Sequence, residues 1–284
     1  MNRVDLRENL VYGSGSAGEA RLVFGAVDVT NNCAPLPFAV IFEYGIRKNG
    51  CVDLRTWARQ WNDLGTLALG SPAYNDALEA ITEQFVPAGS DPSKPNGSAL
   101  NQLRTNEIAL AGPWELREFR LFGEDSDAGH LREVTVKQTP DASLNGTKVL
   151  ADFVNSGATD VPLEFPTGAH FLGGSAPVPP MFWDGPPVPP GPDIVPADLR
   201  HGFSLRTCSG CHAAETSTPF VHIDPMTTPA ALSGFLTGIT VNDPADGAPA
   251  RTFNDLDRRR ADLDALANSV CIFDVFFRPL RFVH

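Results

Sequence analysis

Residues 38–46 read Phe-Ala-Val-Ile-Phe-Glu-Tyr-Gly-Ile and place Phe38, Val40, Phe42, Tyr44 and Ile46 at every second position. Side chains of an extended strand alternate between two faces, so this stretch predicts a strand with one apolar side. Upstream, the Val- and Phe-containing residues 22–29 read as a second strand. Asn31-Asn32-Cys33-Ala34-Pro35 between the two, and Lys48-Asn49-Gly50-Cys51 after them, carry turn chemistry. Cys33 and Cys51 therefore bracket one strand, and a disulfide between them is expected. The flanking turns must then fold back across the roughly 30 Å that about nine extended residues span.

Downstream the period changes. Asp53 is placed to cap a helix carrying Leu54, Trp57, Ala58, Trp61 and Leu64 on one face, and a second helix follows Pro72 with Tyr74, Ala77, Leu78, Ile81 and Phe85. After a Pro/Gly/Ser-rich loop at 87–98, residues 114–122 and 131–139 read as strands, and a change of phase between Leu116 and Phe119 predicts a bulge. These elements define an α+β domain over residues 1–160. Eleven prolines fall within residues 162–196, too many for a helix or a central strand, so 161–195 reads as a semi-rigid connector. Within it Met181-Phe182-Trp183 is expected to pack on a neighbouring domain. A third segment, 196–284, has one helix through Leu199 and Phe203, with Asp198 as its cap. Another carries Phe253, Leu256, Leu263, Leu266 and Val270.

Composition narrows the partners. The 284 residues suit two modest domains, and 25 Gly with 25 Pro exclude a long helical bundle. A formal charge of -12, from 22 basic and 34 acidic residues, leaves nothing to neutralise phosphates, so no nucleic acid or anionic membrane is expected. No run approaches the ~18–20 apolar residues of a membrane span, and the first residues lack the apolar core of a secretory signal.

The strongest chemical pattern is Cys208-Ser-Gly-Cys211-His212. On a helical turn positions i and i+3 share a face, which presents two thiols to two vinyl groups and the adjoining imidazole to iron. With the helices on either side, residues 196–271 resemble a mono-haem c-type cytochrome domain. That resemblance implies one haem c attached through Cys208 and Cys211, with His212 as proximal iron ligand; the Pro-flanked stretch after the motif, folding back over the opposite haem face, offers His222 or the competing Met226 as distal ligand. Its fold would be an α+β N-terminal domain followed by a small, mainly helical cytochrome-c-like domain, acting in electron transfer with redox partner proteins rather than as a catalyst. The wording of 201–217, 103–108 and 114–119 also resembles uncharacterised exported bacterial proteins with the same motif, which implies a periplasmic or extracellular setting.

The same residues support other readings. Cys271 has no task in a haem domain if Cys33 and Cys51 pair. Bridged to Cys208 or Cys211, it would make a cofactor-free, disulfide-stapled extracytoplasmic binding or structural module. Joined to Cys208, Cys211 and His222, it would complete a zinc site. A haem peroxidase or oxidase with an open distal site is a further alternative. Among the remaining histidines, His130, His170 and His284 carry little signal, and His201 reads as a helix-surface residue. Arg258-Arg259-Arg260 lies among aspartates and reads as a solvated face. Arg104, Asn106, Glu107, Glu115, Arg117 and Glu118 read as the wet side of a half-buried sheet rather than as a cleft.

Overall fold

A computed structural model describes residues 16–94, 97–106, 116–121, 129–134, 145–156, 196–205, 207, 215–217, 223–224, 231–245 and 247–271. The first described elements are two long strands, β1 (Ser16–Asp28) and β2 (Ala34–Arg47), paired as an antiparallel hairpin. At its turn Asp28 accepts hydrogen bonds from the Thr30 amide (2.9 Å) and hydroxyl (2.6 Å), while Asn32 and Cys33 take left-handed φ values of 52° and 56°. Three further strands, β3 (Leu100–Asn106), β4 (Leu116–Leu121) and β5 (Leu131–Val134), extend a five-stranded antiparallel sheet in chain order. Pairing of Leu22 with Phe42 and of Ala20 with Tyr44 sets the apolar face that the alternation at 38–46 predicts. The bulge expected near 116–119 is absent, because β3 and β4 pair without interruption from Gln102↔Arg120 to Asn106↔Leu116.

Two helices cover that face. Helix α1 (Gly50–Asp63) starts three residues before Asp53 and buries Cys51, Leu54, Trp57 and Ala58. Helix α2 (Pro72–Thr82) begins with Ser71 accepting from the Tyr74 amide and with Pro72 in the first turn, where its missing N–H costs nothing. Tyr44, Trp57, Ile81 and Phe85 meet in the resulting core, with Trp57 and Phe85 edge to face at 6.1 Å.

The third partner of this core comes from the far end of the chain. Helix α6 (Asp255–Ala267) places Leu263, Leu266 and Ala267 against the sheet-helix core. Its seam with α1 follows one stripe of positions 51, 55 and 59. Cys51 forms a disulfide with Cys271, Arg55 donates to the Ser269 carbonyl (3.2 Å), and Arg59 donates to the Ala267 carbonyl (2.8 Å). The two guanidinium groups thus satisfy carbonyls that the end of α6 leaves open, in the position where cations suit a helix dipole.

This pairing corrects the expected Cys33–Cys51 bond. Cys51 faces inward and is fully buried, whereas Cys33 is an exposed free thiol at the distal turn. The fourteen extended residues of β2 separate the two by roughly 45 Å. The turn residues that suggested fold-back instead let the chain run straight into α1.

The remaining described segments build two smaller cores. Helix α3 (Lys148–Ser156) and helix α4 (Ala197–Ser204) pack Leu150, Val154 and Phe203 together. A short helix α5 (Gly234–Thr237) packs Phe235 and Leu236 on Val241 and Phe253, and Leu256 at the start of α6 joins them. Strands β6 (Ile223–Asp224) and β7 (Ala231–Leu232) pair, as do β8 (Ile239–Val241) and β9 (Arg251–Phe253). The C-terminal part is therefore a smaller region of helices and small sheets, not a mainly helical one. The expected connector, residues 161–195 with Met181-Phe182-Trp183, lies outside the described residues. No helix among the described residues is long and apolar enough to cross a membrane.

Candidate functional site

Helix α4 sends different side chains in different directions. Leu199 and Phe203 face α3, and Arg200 with Ser204, one turn apart, faces a buried polar cluster. Arg200 makes a two-pronged contact with Glu215 and also donates to Asp243 Oδ1 at 2.7 Å. The Asp243 carboxylate also accepts from the Ala245 amide (2.9 Å) and from Arg251 Nε (2.7 Å), and Arg251 reaches on to Asp198 (2.7 Å). His201 Nδ1 lies 2.5 Å from Glu215 Oε2, and its ring is 5.9 Å from that of Phe253. Arg200, Glu215 and Asp243 are buried.

Burial alone would raise the Asp243 carboxyl, but the Ala245 amide and the Arg251 and Arg200 guanidinium groups together hold it below its ordinary value. For Arg251 the balance runs the other way: burial opposes its charge, and Asp243 with Asp198 raises it above the ordinary value.

His201, Glu215 and Asp243 offer ligand atoms within 4.8 Å of one another, a spacing that could chelate a metal ion. The charges already present decide what the cluster does in this conformation. Each of the four carboxylate oxygens of Glu215 and Asp243 faces a guanidinium or amide donor. A cation would have to displace Arg200, so the cluster works here as an ion network tying 198–201, 215 and 243–251 together.

A second network lies on the sheet face opposite α1 and α2. Register places Arg21 opposite Glu43, Glu43 opposite Gln102, and Arg104 opposite Glu118. Arg21 binds Glu43 at 2.8 Å and Glu19 at 3.1 Å, Gln102 donates to Glu43, and Arg104 lies 3.1 Å from Glu118 and 3.7 Å from Glu43. Glu19, Glu43, Arg104 and Glu118 are all buried. The expectation of a wet sheet face therefore fails at Arg104 and Glu118. Asn106 and Arg117 are half-buried, and Glu107 and Glu115 lie outside the described residues. Burial, and then the neighbouring Glu43, raise the Glu19 carboxyl above its ordinary range, against the pull of Arg21 and Arg104.

Compared with protein-family models, curated proteins and solved structures, the chain matches none. Neither the cytochrome resemblance nor the whole-chain likeness to exported bacterial proteins finds support there. The fold argues against the cytochrome as well. The helix expected to close over Cys208-Ser-Gly-Cys211-His212 is α6, and its Leu263, Leu266 and Ala267 pack instead into the sheet core beside α1. With that helix committed elsewhere and small sheets in the C-terminal part, the haem c site, its electron-transfer role and the haem peroxidase or oxidase alternative are withdrawn. Cys208, Cys211, His212, His222 and Met226 lie outside the described residues. The zinc set and the bridge from Cys271 to Cys208 or Cys211 fall too, because the Cys271 sulfur is bonded to Cys51.

Of the histidines, His201 is half-buried and bonded rather than a free surface residue, and His130 is exposed. His170 and His284 lie outside the described residues. Sequence reasoning missed Arg200, Glu215, Asp243 and Arg251. The available signal was the placement of Arg200-His201 and Glu215 on either side of the cysteine motif.

Proposed function

We propose that this chain is an extracytoplasmic binding module, stapled by Cys51–Cys271, in which the N-terminal sheet and the helices on it make the contacts. The observation that carries this reading is the buried disulfide across a separation of 220 residues. Disulfides form and persist in oxidising compartments and are rare where glutathione keeps thiols reduced. In the chain-entropy account, closing a loop of that length stabilises the fold by about 5 kcal/mol. The two arginine caps beside it hold α6 in register for the bond.

Non-reducing peptide mapping of protein produced in an oxidising compartment tests the reading. A cross-linked peptide joining Cys51 to Cys271 is expected, with Cys33 alkylated. Replacing both bridged cysteines by alanine should lower stability to urea by about 2–5 kcal/mol. If Cys51 and Cys271 both react with the alkylating agent in folded protein, the reading is lost.

A further inference from the structure

At the end of β2 the sheet, α1 and the segment after α2 flank a half-open cavity of about 60 Å³, lined among others by Ile46, Arg47, Lys48, Trp57, Phe85 and Asp91. That is room for a few waters or one small organic group. Its polar groups are unbalanced. Arg47 is neutralised by Asp91 at 2.8 Å. The Lys48 amine lies 4.6 Å from the centroid of the Trp57 ring and donates to the Gln84 side-chain carbonyl at 3.1 Å, with no carboxylate at ion-pair distance among the described residues. The Trp57 indole N–H is buried and has no acceptor among the described residues.

Buried donors without acceptors are rare in folded proteins, because each forfeits its bond to water. The other described lysines lack this imbalance: Lys148 is paired with Asp152, and Lys94 is bonded to the Ala99 carbonyl and to Asn101. Burial lowers the Lys48 amine from its ordinary value, with Asp53 opposing. An anion beside it would relieve that penalty.

We propose that this cavity binds a carboxylate, with Lys48 as the charged donor and Trp57 as the indole donor, and with Ile46 and Phe85 against the ligand's apolar part. The inference rests on the binding-module reading and names its ligand class. A chain of formal charge -12 repels anions at long range, so recognition has to come from donors at contact distance. A small free aliphatic acid fits the volume, and the terminal carboxylate of a peptide offers the same chemistry.

The disulfide-intact full chain is titrated with sodium butyrate, with a short peptide bearing a free C-terminal carboxylate, with that peptide's C-terminal amide, and with sodium chloride at matched ionic strength. The readout is the Trp57 indole N–H resonance, assigned by its disappearance in Trp57→Phe. A saturable shift is expected with a carboxylate and not with the amide or chloride. Response to butyrate alone identifies a free acid as the source, and response to the peptide identifies a chain end. Lys48→Met should weaken binding about tenfold or more, the scale of a lost charge-assisted hydrogen bond.

In unmutated protein, butyrate should also slow acylation of Lys48 by a water-soluble activated ester, followed by mass spectrometry. This second arm stands whatever Lys48→Met does to folding. An unsaturable response, an equal response to chloride, or no protection of Lys48 would overturn the proposal. The disulfide map is indifferent to all three outcomes, so failure here is distinguishable from failure of the stapled-module reading.

Discussion

The two buried ion networks have the same inventory and opposite electrostatics. On the sheet, Glu19, Glu43 and Glu118 face Arg21 and Arg104; beside α4, Asp198, Glu215 and Asp243 face Arg200 and Arg251. Yet Glu19 is raised and Asp243 is lowered. Burial is the largest influence on both carboxyls and pushes each up; the difference lies in which neighbours add to it and which oppose it. Glu19 meets another carboxylate, Glu43, whereas Asp243 receives a backbone amide from Ala245 as well as two guanidinium groups. A short chelating turn does for Asp243 what a flat ladder of side chains cannot do for Glu19. Burial by itself therefore does not fix the sign of a carboxylate's contribution.

The largest effect should separate the networks by how replaceable their arginines are. Arg200 holds both Glu215 and Asp243, so Arg200→Met leaves two buried carboxylates short of a partner and should cost about 3–5 kcal/mol in urea unfolding. Arg104→Met should cost about 1–3 kcal/mol, because of its two carboxylates Glu118 loses the Arg104 guanidinium while Glu43 retains Arg21 and Gln102. Equal losses would break the comparison.

The second test is the pH dependence. A carboxyl raised in the folded state binds its proton more tightly there than in the unfolded chain, so stability falls as pH climbs above the ordinary value of 4.5. Glu19→Gln should remove that loss and become more stabilising, relative to the parent, from pH 4.5 towards neutrality. Asp243 is lowered, so its contribution is present above the ordinary value of 3.8 and is lost as pH falls below it. Asp243→Asn should show its full deficit at pH 7, with the two curves converging below pH 3.8. Urea midpoints of parent and variants between pH 3 and 8 check both slopes.

The smallest effects sharpen the picture at its edges. Asp198 is 83% exposed, and Asp198→Asn should change stability by no more than about 0.5 kcal/mol. Zinc or a chelator should leave the melting temperature within about 1 °C, since a cation binding the folded state alone would raise it by mass action. A zinc-dependent rise abolished by His201→Ala would show instead that the cluster yields to a metal.

How far the sequence reached depends on range. The alternation of Phe38 to Ile46 and the helical spacing of Leu54, Trp57 and Ala58 repeat over a few residues, and the structure follows them. Helix α3 went unread, although Thr147 ahead of Leu150 and Val154 is a short capped pattern of the same kind. The networks left only a faint trace in the sequence, for another reason. A charged residue at every second strand position looks the same whether water or protein covers it, and Arg200, Glu215, Asp243 and Arg251 share no period. Cys51 was assigned the nearer thiol, but geometry gave it one 220 positions away. The five-residue cysteine motif outweighed its surroundings because a local pattern carries no information about which core the following helix joins.

The seam at positions 51, 55 and 59 has a consequence for synthesis. Helix α1 leaves the ribosome about two hundred residues before α6, which is on the order of 10–40 s at usual elongation rates. Throughout that interval the nascent sheet lacks Leu263, Leu266 and Ala267, and Cys51 has no Cys271 to meet. Its first core is thus the last to be sealed. A polypeptide built in this order completes that core only when α6, the last helix among the described residues, appears.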